Sequence, residues 1–250
     1  MHRCWLDQAE PLTLGEEYAL SAEESAHVAR VLRMRPGDAV QLIAADSLFA
    51  GELCTVSDTM ATARATAALP SPECPVRITL CQGLPKQEKL EWIVQKATEL
   101  GVWDVLPIDM ERSIAKLDGK EEKKRERMQR IALEAAKQSG RAHVPHIDAA
   151  CRFTEAMARL AERAYDAVLV AWEGESGLRI TQAMQALTAK TPSLRKIAVV
   201  IGPEGGISEK EITRLCDAGA QCVTLGKRIL RTETAGLCAL SAMMATLGEM

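Results

Sequence analysis

The sequence predicts an α/β fold with a mainly parallel sheet, and three observations carry that reading. From residue 76 onward, apolar strand-like runs alternate with helical patterns, the order that builds a parallel sheet flanked by helices. The run Ile197-Ala198-Val199-Val200-Ile201 has no polar alternation, as expected of a central strand covered on both faces. The segment Leu69-Pro70-Ser71-Pro72-Glu73-Cys74-Pro75 has three prolines in seven residues and separates this region from a shorter, strand-rich one.

Residues 1–70 are expected to form the small unit, 71–75 a linker and 76–250 the larger domain. In the small unit, Ser21 with Glu24 reads as a capping box for a helix running to about Leu32. Pro36-Gly37-Asp38 is a turn before a strand at 39–43. Strands at 48–56 and 60–67 follow, the latter alternating Thr62, Arg64 and Thr66 against alanines. In the larger region, 76–81 is a buried strand. Leu90, Ile93, Val94, Ala97 and Leu100 keep helical spacing, and Gly101 stops that helix. A strand at 102–108, a charged helix at 121–139 and strands at 167–171 and 197–201 come next. Ser208 with Glu211 caps a helix that Gly219 ends. A strand at 222–225 and a helix at about 232–247 close the pattern.

Composition narrows the classes. Hydrophobic residues make up 47% of 250, enough for a sizeable core. No apolar run approaches the ~18 residues of a membrane span, and the opening Met1-His2-Arg3-Cys4-Trp5-Leu6-Asp7 lacks an apolar signal region, so a cytoplasmic protein is expected. The eight cysteines never form C-x-x-C and are expected to stay reduced, with Cys81, Cys222 and Cys238 as small core residues. No metal site is expected, since His143 and His146 have no nearby cysteine pair. Net charge is −3, but it is uneven: residues 1–70 hold 5 Lys+Arg against 10 Asp+Glu, and residues 86–141 hold 13 against 11. Any contact with a polyanion must therefore use local basic patches.

In open α/β sheets, ligands sit beyond the carboxyl ends of the strands. Two such ends stand out. One is Gly202-Pro203-Glu204-Gly205-Gly206, where glycines let the backbone approach a ligand; it is neither a P-loop nor G-x-G-x-x-G. The other is Leu225-Gly226-Lys227-Arg228-Ile229-Leu230-Arg231-Thr232-Glu233-Thr234, where a strand ends and a helix begins.

These two blocks resemble the signatures of SPOUT-class methyltransferases, most closely the ribosomal RNA small subunit methyltransferase E family. The resemblance extends through Leu84-Pro85-Lys86, the helix from Glu91 to Gly101, Glu111-Arg112-Ser113 and Glu134-Ala135-Ala136-Lys137-Gln138-Ser139-Gly140-Arg141. His27-Val28-Ala29-Arg30-Val31-Leu32-Arg33, with Gly37-Asp38, is similar to the family's small PUA-like RNA-binding β-barrel. The family opens with Arg and two aromatics, where this chain has Arg3-Cys4-Trp5.

The resemblance implies a C-terminal domain tied in a trefoil knot, a homodimer, S-adenosyl-L-methionine as cofactor and N3 of a uridine in 16S rRNA as the methyl acceptor. It implies cofactor binding by Trp172, Gly202, Pro203, Glu204, Gly205, Gly206, Leu225, Gly226, Ile229, Leu230, Arg231 and Thr234. The catalytic candidates are Arg231, as an electrostatic stabiliser, and Glu204 and Glu233, as a base or as fixers of loop geometry. RNA contacts are expected from Arg3, Arg30, Arg33, Arg35, Arg112, Gln138, Ser139 and Arg141, within the small ribosomal subunit. The alternatives are a SPOUT enzyme acting on ribose 2′-oxygen or another base, and a non-catalytic RNA-binding assembly protein.

Overall fold

The computed structural model describes residues 1–8 and 10–250. The chain forms two compact units, Met1–Glu73 with Gly140–His143, and Cys74–Ser139 with Val144–Met250.

The first unit is a five-stranded sheet of β1 (His2–Trp5), β2 (Glu17–Ala19), β3 (Ala39–Ala44), β4 (Ser47–Thr55) and β5 (Thr62–Ala68), in the order β1-β3-β4-β5-β2. Only β1–β3 is parallel; the other pairings are antiparallel. The alanine alternation has a physical reason. Ala61, Ala63 and Ala65 are fully buried with Val28, Leu42 and Leu53, and Arg64 faces out to Glu17. Cys4 lies at the centre of this core, and burial pushes its thiol up to about 12. Its sulfur is within 4.8 Å of ligating atoms of His2 and Glu24.

The expected helix to Leu32 is split. Helix α1 (Ala22–Ala26) gives way to a π-helical turn over His27–Val31. The capping box is half formed: the Ser21 hydroxyl accepts from the Glu24 amide, while the Glu24 carboxylate reaches His2 instead. The proline-rich segment is also more than a connector. The Glu73 carboxylate accepts from Arg141 Nε at 3.0 Å and from the Ala142 and His143 amides at 2.8 and 3.1 Å, which fastens residues 140–143 into this unit.

The second unit alternates β6 (Arg77–Gly83), α2 (Lys89–Glu99), β7 (Asp104–Asp109), α3 (Glu121–Ser139), β8 (His146–Ile147), β9 (Cys151–Arg152), α4 (Phe153–Glu162), β10 (Ala167–Ala171), α5 (Ile180–Lys190), β11 (Lys196–Ile201), α6 (Glu209–Asp217), β12 (Gln221–Val223) and α7 (Thr232–Leu247). The strand order is β12-β10-β11-β6-β7-β8, with β9 also on β7, and every pairing is parallel. Strand β11 is central and its residues 197–201 are at most 2% exposed, because both faces are covered. Ile78, Leu80 and Val199 pack with α2 and α7 on one side; Cys81, Leu106 and Val200 pack with α4 and α6 on the other. Helices α4 and α5 are elements that the reading above did not anticipate. The charged run 120–127 of α3 is a solvated face, with Lys124 paired to Asp118 and Arg127 to Glu91. Among the described residues, no helix is long and apolar enough to cross a membrane.

Candidate active site

The two blocks singled out in the sequence lie in the second unit, at the carboxyl ends of β11 and β12. Residues 202–206 leave β11 as a tight turn, closed by the Gly206 amide donating to the Pro203 carbonyl at 2.9 Å. Gly206 has φ +73°, a left-handed conformation in which glycine avoids a Cβ clash. The end of β6 is pressed against this turn: a Cβ on Gly83 would lie 2.5 Å from the Pro203 nitrogen.

Residues 225–234 meet the same turn through one side chain. The buried Thr232 hydroxyl donates to the Gly202 carbonyl at 2.6 Å and accepts from Gln82 Nε2 at 2.9 Å. Gln82, fully buried at the end of β6, also donates to the Gly83 carbonyl at 3.1 Å. The ends of β6 and β11 and the start of α7 are thus tied by one hydroxyl and one amide. Around them, Gly226 has open space where a Cβ would be, Ile229 is 84% exposed and Leu230 is half-buried. An exposed apolar residue beside open backbone fits an aromatic and thioether ligand, with the main chain setting its orientation.

A second tie is ionic. Lys89 Nζ lies 3.0 Å from Glu204 and 3.1 Å from Glu233, and the Lys86 amide donates to Glu204 at 3.1 Å. Burial alone would push the Glu204 carboxyl up, but the Lys86 amide and the Lys89 ammonium outweigh it and hold it below the ordinary 4.5. At Glu233 burial again raises, and its backbone hydrogen bond, Lys89 and Arg231 lower further. Lys89 is raised in turn, first by its bond to Glu204 and then by Glu233. Both carboxylates are therefore ionised, ion-paired and weak as bases. Arg231, the residue before α7, is exposed at the mouth of the same loop. Thr234 is exposed one turn further on and Leu225 is half-buried against the core.

Trp172 follows β10, and its amide donates to the Val223 carbonyl at 3.1 Å. Its half-buried ring packs against the cluster that contains Val170 and Ala198. The next residue, Glu173, has its carboxylate over Gly206, 3.1 Å from where a Cβ would stand. Arg112 reaches the other side of the turn, with Nη1 3.4 Å from the Gly205 carbonyl.

The expected RNA-contacting residues separate into groups. Arg112, Gln138 and Ser139 are exposed in the second unit. In the first unit Arg30 is exposed and paired with Asp58, and Arg33 and Arg35 are exposed. Arg141 is a correction: it is 6% exposed and its guanidinium is spent on Glu73, so it holds the fold and cannot meet RNA. Arg3 is half-buried. Its Nε donates to Gln41 at 2.8 Å and its Nη1 is buried against Gly140. Sequence reasoning missed Gln82 and Lys89. The first had a signal, a polar side chain ending an apolar strand run; the second had none.

The chain resembles known proteins over almost its whole length. It is 39% identical over 229 residues to the ribosomal RNA small subunit methyltransferase E of Bacillus subtilis, covering 90% of this chain and 89% of that one. The corresponding protein of Mycobacterium tuberculosis is 34% identical over 235 residues, covering 92% and 86%. The crystal structure of a ribosomal RNA small subunit methyltransferase E from Neisseria gonorrhoeae bound to S-adenosyl methionine superposes with a TM-score of 0.76 at 30% identity, covering 98% and 97% of the two chains. Residues 72–244 match the RNA methyltransferase domain family, and the chain belongs to it.

Proposed function

We propose that this protein transfers the methyl group of S-adenosyl-L-methionine to N3 of a uridine in the small-subunit ribosomal RNA. The observation that carries the reading is the bond between Thr232 and the Gly202 carbonyl, which brings the two loops of the family's cofactor signature to one place. The names of the relatives and the bound ligand of the Neisseria gonorrhoeae structure support the cofactor and the small-subunit ribosomal RNA as substrate; N3 of a uridine rests on the family resemblance.

The sulfonium supplies an already activated methyl group when bound. Residues 202–206, 225–226 and 229–230 hold it, and their task is alignment with the acceptor nitrogen at roughly 3–3.5 Å. As the N–C bond forms the C–S bond breaks, and the thioether leaves neutral. Uracil N3 must lose its proton, which passes to solvent water, and the developing anion needs a cation. Arg231 takes that role, standing exposed at the loop mouth with no carboxylate bonded to it among the described residues. Glu204 and Glu233 fix loop geometry through Lys89, since depressed carboxyls are poor bases at neutral pH.

The second unit is read as a trefoil-knotted SPOUT domain and the first as a PUA-like RNA-binding barrel, with Arg30, Arg33 and Arg35 contacting phosphate. The protein acts as a cytoplasmic homodimer. The test is methyl transfer from labelled S-adenosylmethionine to small ribosomal subunits from cells lacking the protein, followed by nucleoside analysis. Label in N3-methyluridine is expected. Label in another nucleoside overturns the uridine assignment, and no saturable cofactor binding overturns the enzyme.

A further inference from the structure

Beside the turn 202–206, and separate from it, the carboxyl end of β7 opens into a cavity of about 570 Å³. Its other walls are the starts of α4 and α6. Three carboxylates line it, and each is already committed. Asp109 binds Lys116 at 2.8 Å. Glu211 is 5% exposed and accepts from the Glu111 and Ser208 amides at 2.9 and 3.1 Å. Glu111 accepts from the Ser208 hydroxyl at 2.8 Å.

The cations differ. Arg152, Lys210 and Arg214 line the same cavity, are all exposed, and have no carboxylate partner among the described residues. Arg214 lies over the Phe153 ring at 5.1 Å, which fixes its guanidinium without neutralising it. The cavity therefore presents three cations without ion partners beside Glu111 and Glu211, two carboxylates that keep their charge and are held by hydrogen bonds from neutral groups. Arginines held in this way suit an oxyanion with several acceptor oxygens. The bond from Ser208 to Glu111, and the contact of Arg112 with Gly205, join this wall to the cofactor turn.

We propose that Arg152, Lys210 and Arg214 form a second binding site, which seats a phosphodiester group of the RNA strand whose nucleotide is methylated. This rests on the RNA methyltransferase reading above. The site would set where the strand lies relative to the cofactor loops, because backbone contacts fix register without reading sequence.

The experiment compares the wild type with R152E/K210E/R214E and the milder R152Q/K210Q/R214Q. It measures affinity for small-subunit rRNA across a salt series, S-adenosylmethionine affinity and thermal melting. The expected result is RNA affinity weaker by at least about tenfold, and a slope of log affinity against log salt smaller by about 2. Cofactor affinity and melting should be unchanged in the glutamine variant. Unchanged RNA affinity and salt slope in both variants overturn the proposal. Stabilisation of the wild type alone by millimolar inorganic phosphate, with RNA affinity equal in all three proteins, assigns the site to a small phosphate and also overturns it. Failure of the wild type to methylate any RNA strikes the functional reading instead, and is scored separately from RNA affinity.

Discussion

Gln82 and Thr232 are hydrogen-bonded at 2.9 Å although 150 positions separate them in sequence, and the same Thr232 hydroxyl donates to the Gly202 carbonyl at 2.6 Å. Gln82 and Gly202 sit where β6 and β11 end and Thr232 where α7 begins, so this small network joins the 202–206 turn to the 225–234 segment. Thr232→Val keeps the side-chain shape and removes both bonds, leaving the buried Gln82 amide with only its bond to the Gly83 carbonyl and the Gly202 carbonyl without this donor. Stability should fall by about 2–3 kcal/mol, read by chemical denaturation. Affinity for S-adenosylmethionine, read by calorimetry, should weaken in the same variant.

The Lys89 bridge has a pH signature. Glu204 and Glu233 have carboxyls lowered below the ordinary 4.5 by the folded structure, so their stabilising contribution is complete above about that pH and disappears as pH falls through the lower folded value. Lys89 is raised, so its share is complete below its ordinary 10.5 and is lost only as pH rises beyond it. Urea unfolding between pH 3 and 7 should show a loss of stability on the acid side that shrinks in Glu204→Gln. An identical acid limb in that variant would remove the bridge from the account.

Much of the second unit was legible because its strands and helices announce themselves locally. Strand β11 read as central from its unbroken apolar run, and its burial agrees. The Ser208–Glu211 capping box forms as the spacing requires. Helices α4 and α5 carried usable spacing in Phe153, Ala156 and Leu160 and in Ile180, Ala183 and Met184, but each starts after an arginine, so no capping residue marks its beginning. Strands β8 and β9 are two residues each, too short to show a period. The site divides in the same way. Glycine-rich strand ends are visible in one dimension, whereas Lys89 meets Glu204 from 115 positions away and Arg141 meets Glu73 from 68. A long-range ion pair has no local pattern, which is why Arg141 read as an RNA contact.

That correction yields its own expectation. Arg141 and Glu73 are both under a tenth exposed at the side chain, and removing Arg141 leaves Glu73 a buried charge whose ion partner is gone, held by the Ala142 and His143 amides. Arg141→Ala should cost about 3–5 kcal/mol, read by denaturation. A variant that keeps its stability and loses only RNA affinity would restore the original assignment.

Gly83 predicts a steric effect at the floor of the 202–206 turn. A Cβ there would stand 2.5 Å from the Pro203 nitrogen and 2.9 Å from the Gly202 carbonyl carbon, both backbone atoms that cannot rotate away. Gly83→Ala should push β6 and the 202–206 turn apart. Weakened cofactor binding is expected together with a stability loss of about 1–3 kcal/mol, the range of overpacked sites. Gly226→Ala is the contrast: it meets no neighbour within 4 Å, and only its φ of +121° opposes the methyl group. It should cost less than Gly83→Ala.

Arg231 is the sharpest test of mechanism. It is exposed at the start of α7, so truncation leaves no cavity and should barely move stability. Lys89, Glu204 and Glu233 remain to hold the loops in the variant. If Arg231 stabilises charge on the uracil as the N–C bond forms, Arg231→Ala should lower kcat by about 10²–10³, with the S-adenosylmethionine Kd changed less than about threefold. Raising the pH should recover part of the rate, because a larger fraction of uracil N3 is then deprotonated without help. Equal loss of turnover and cofactor affinity would make Arg231 a cofactor-binding residue and leave the anion to another group.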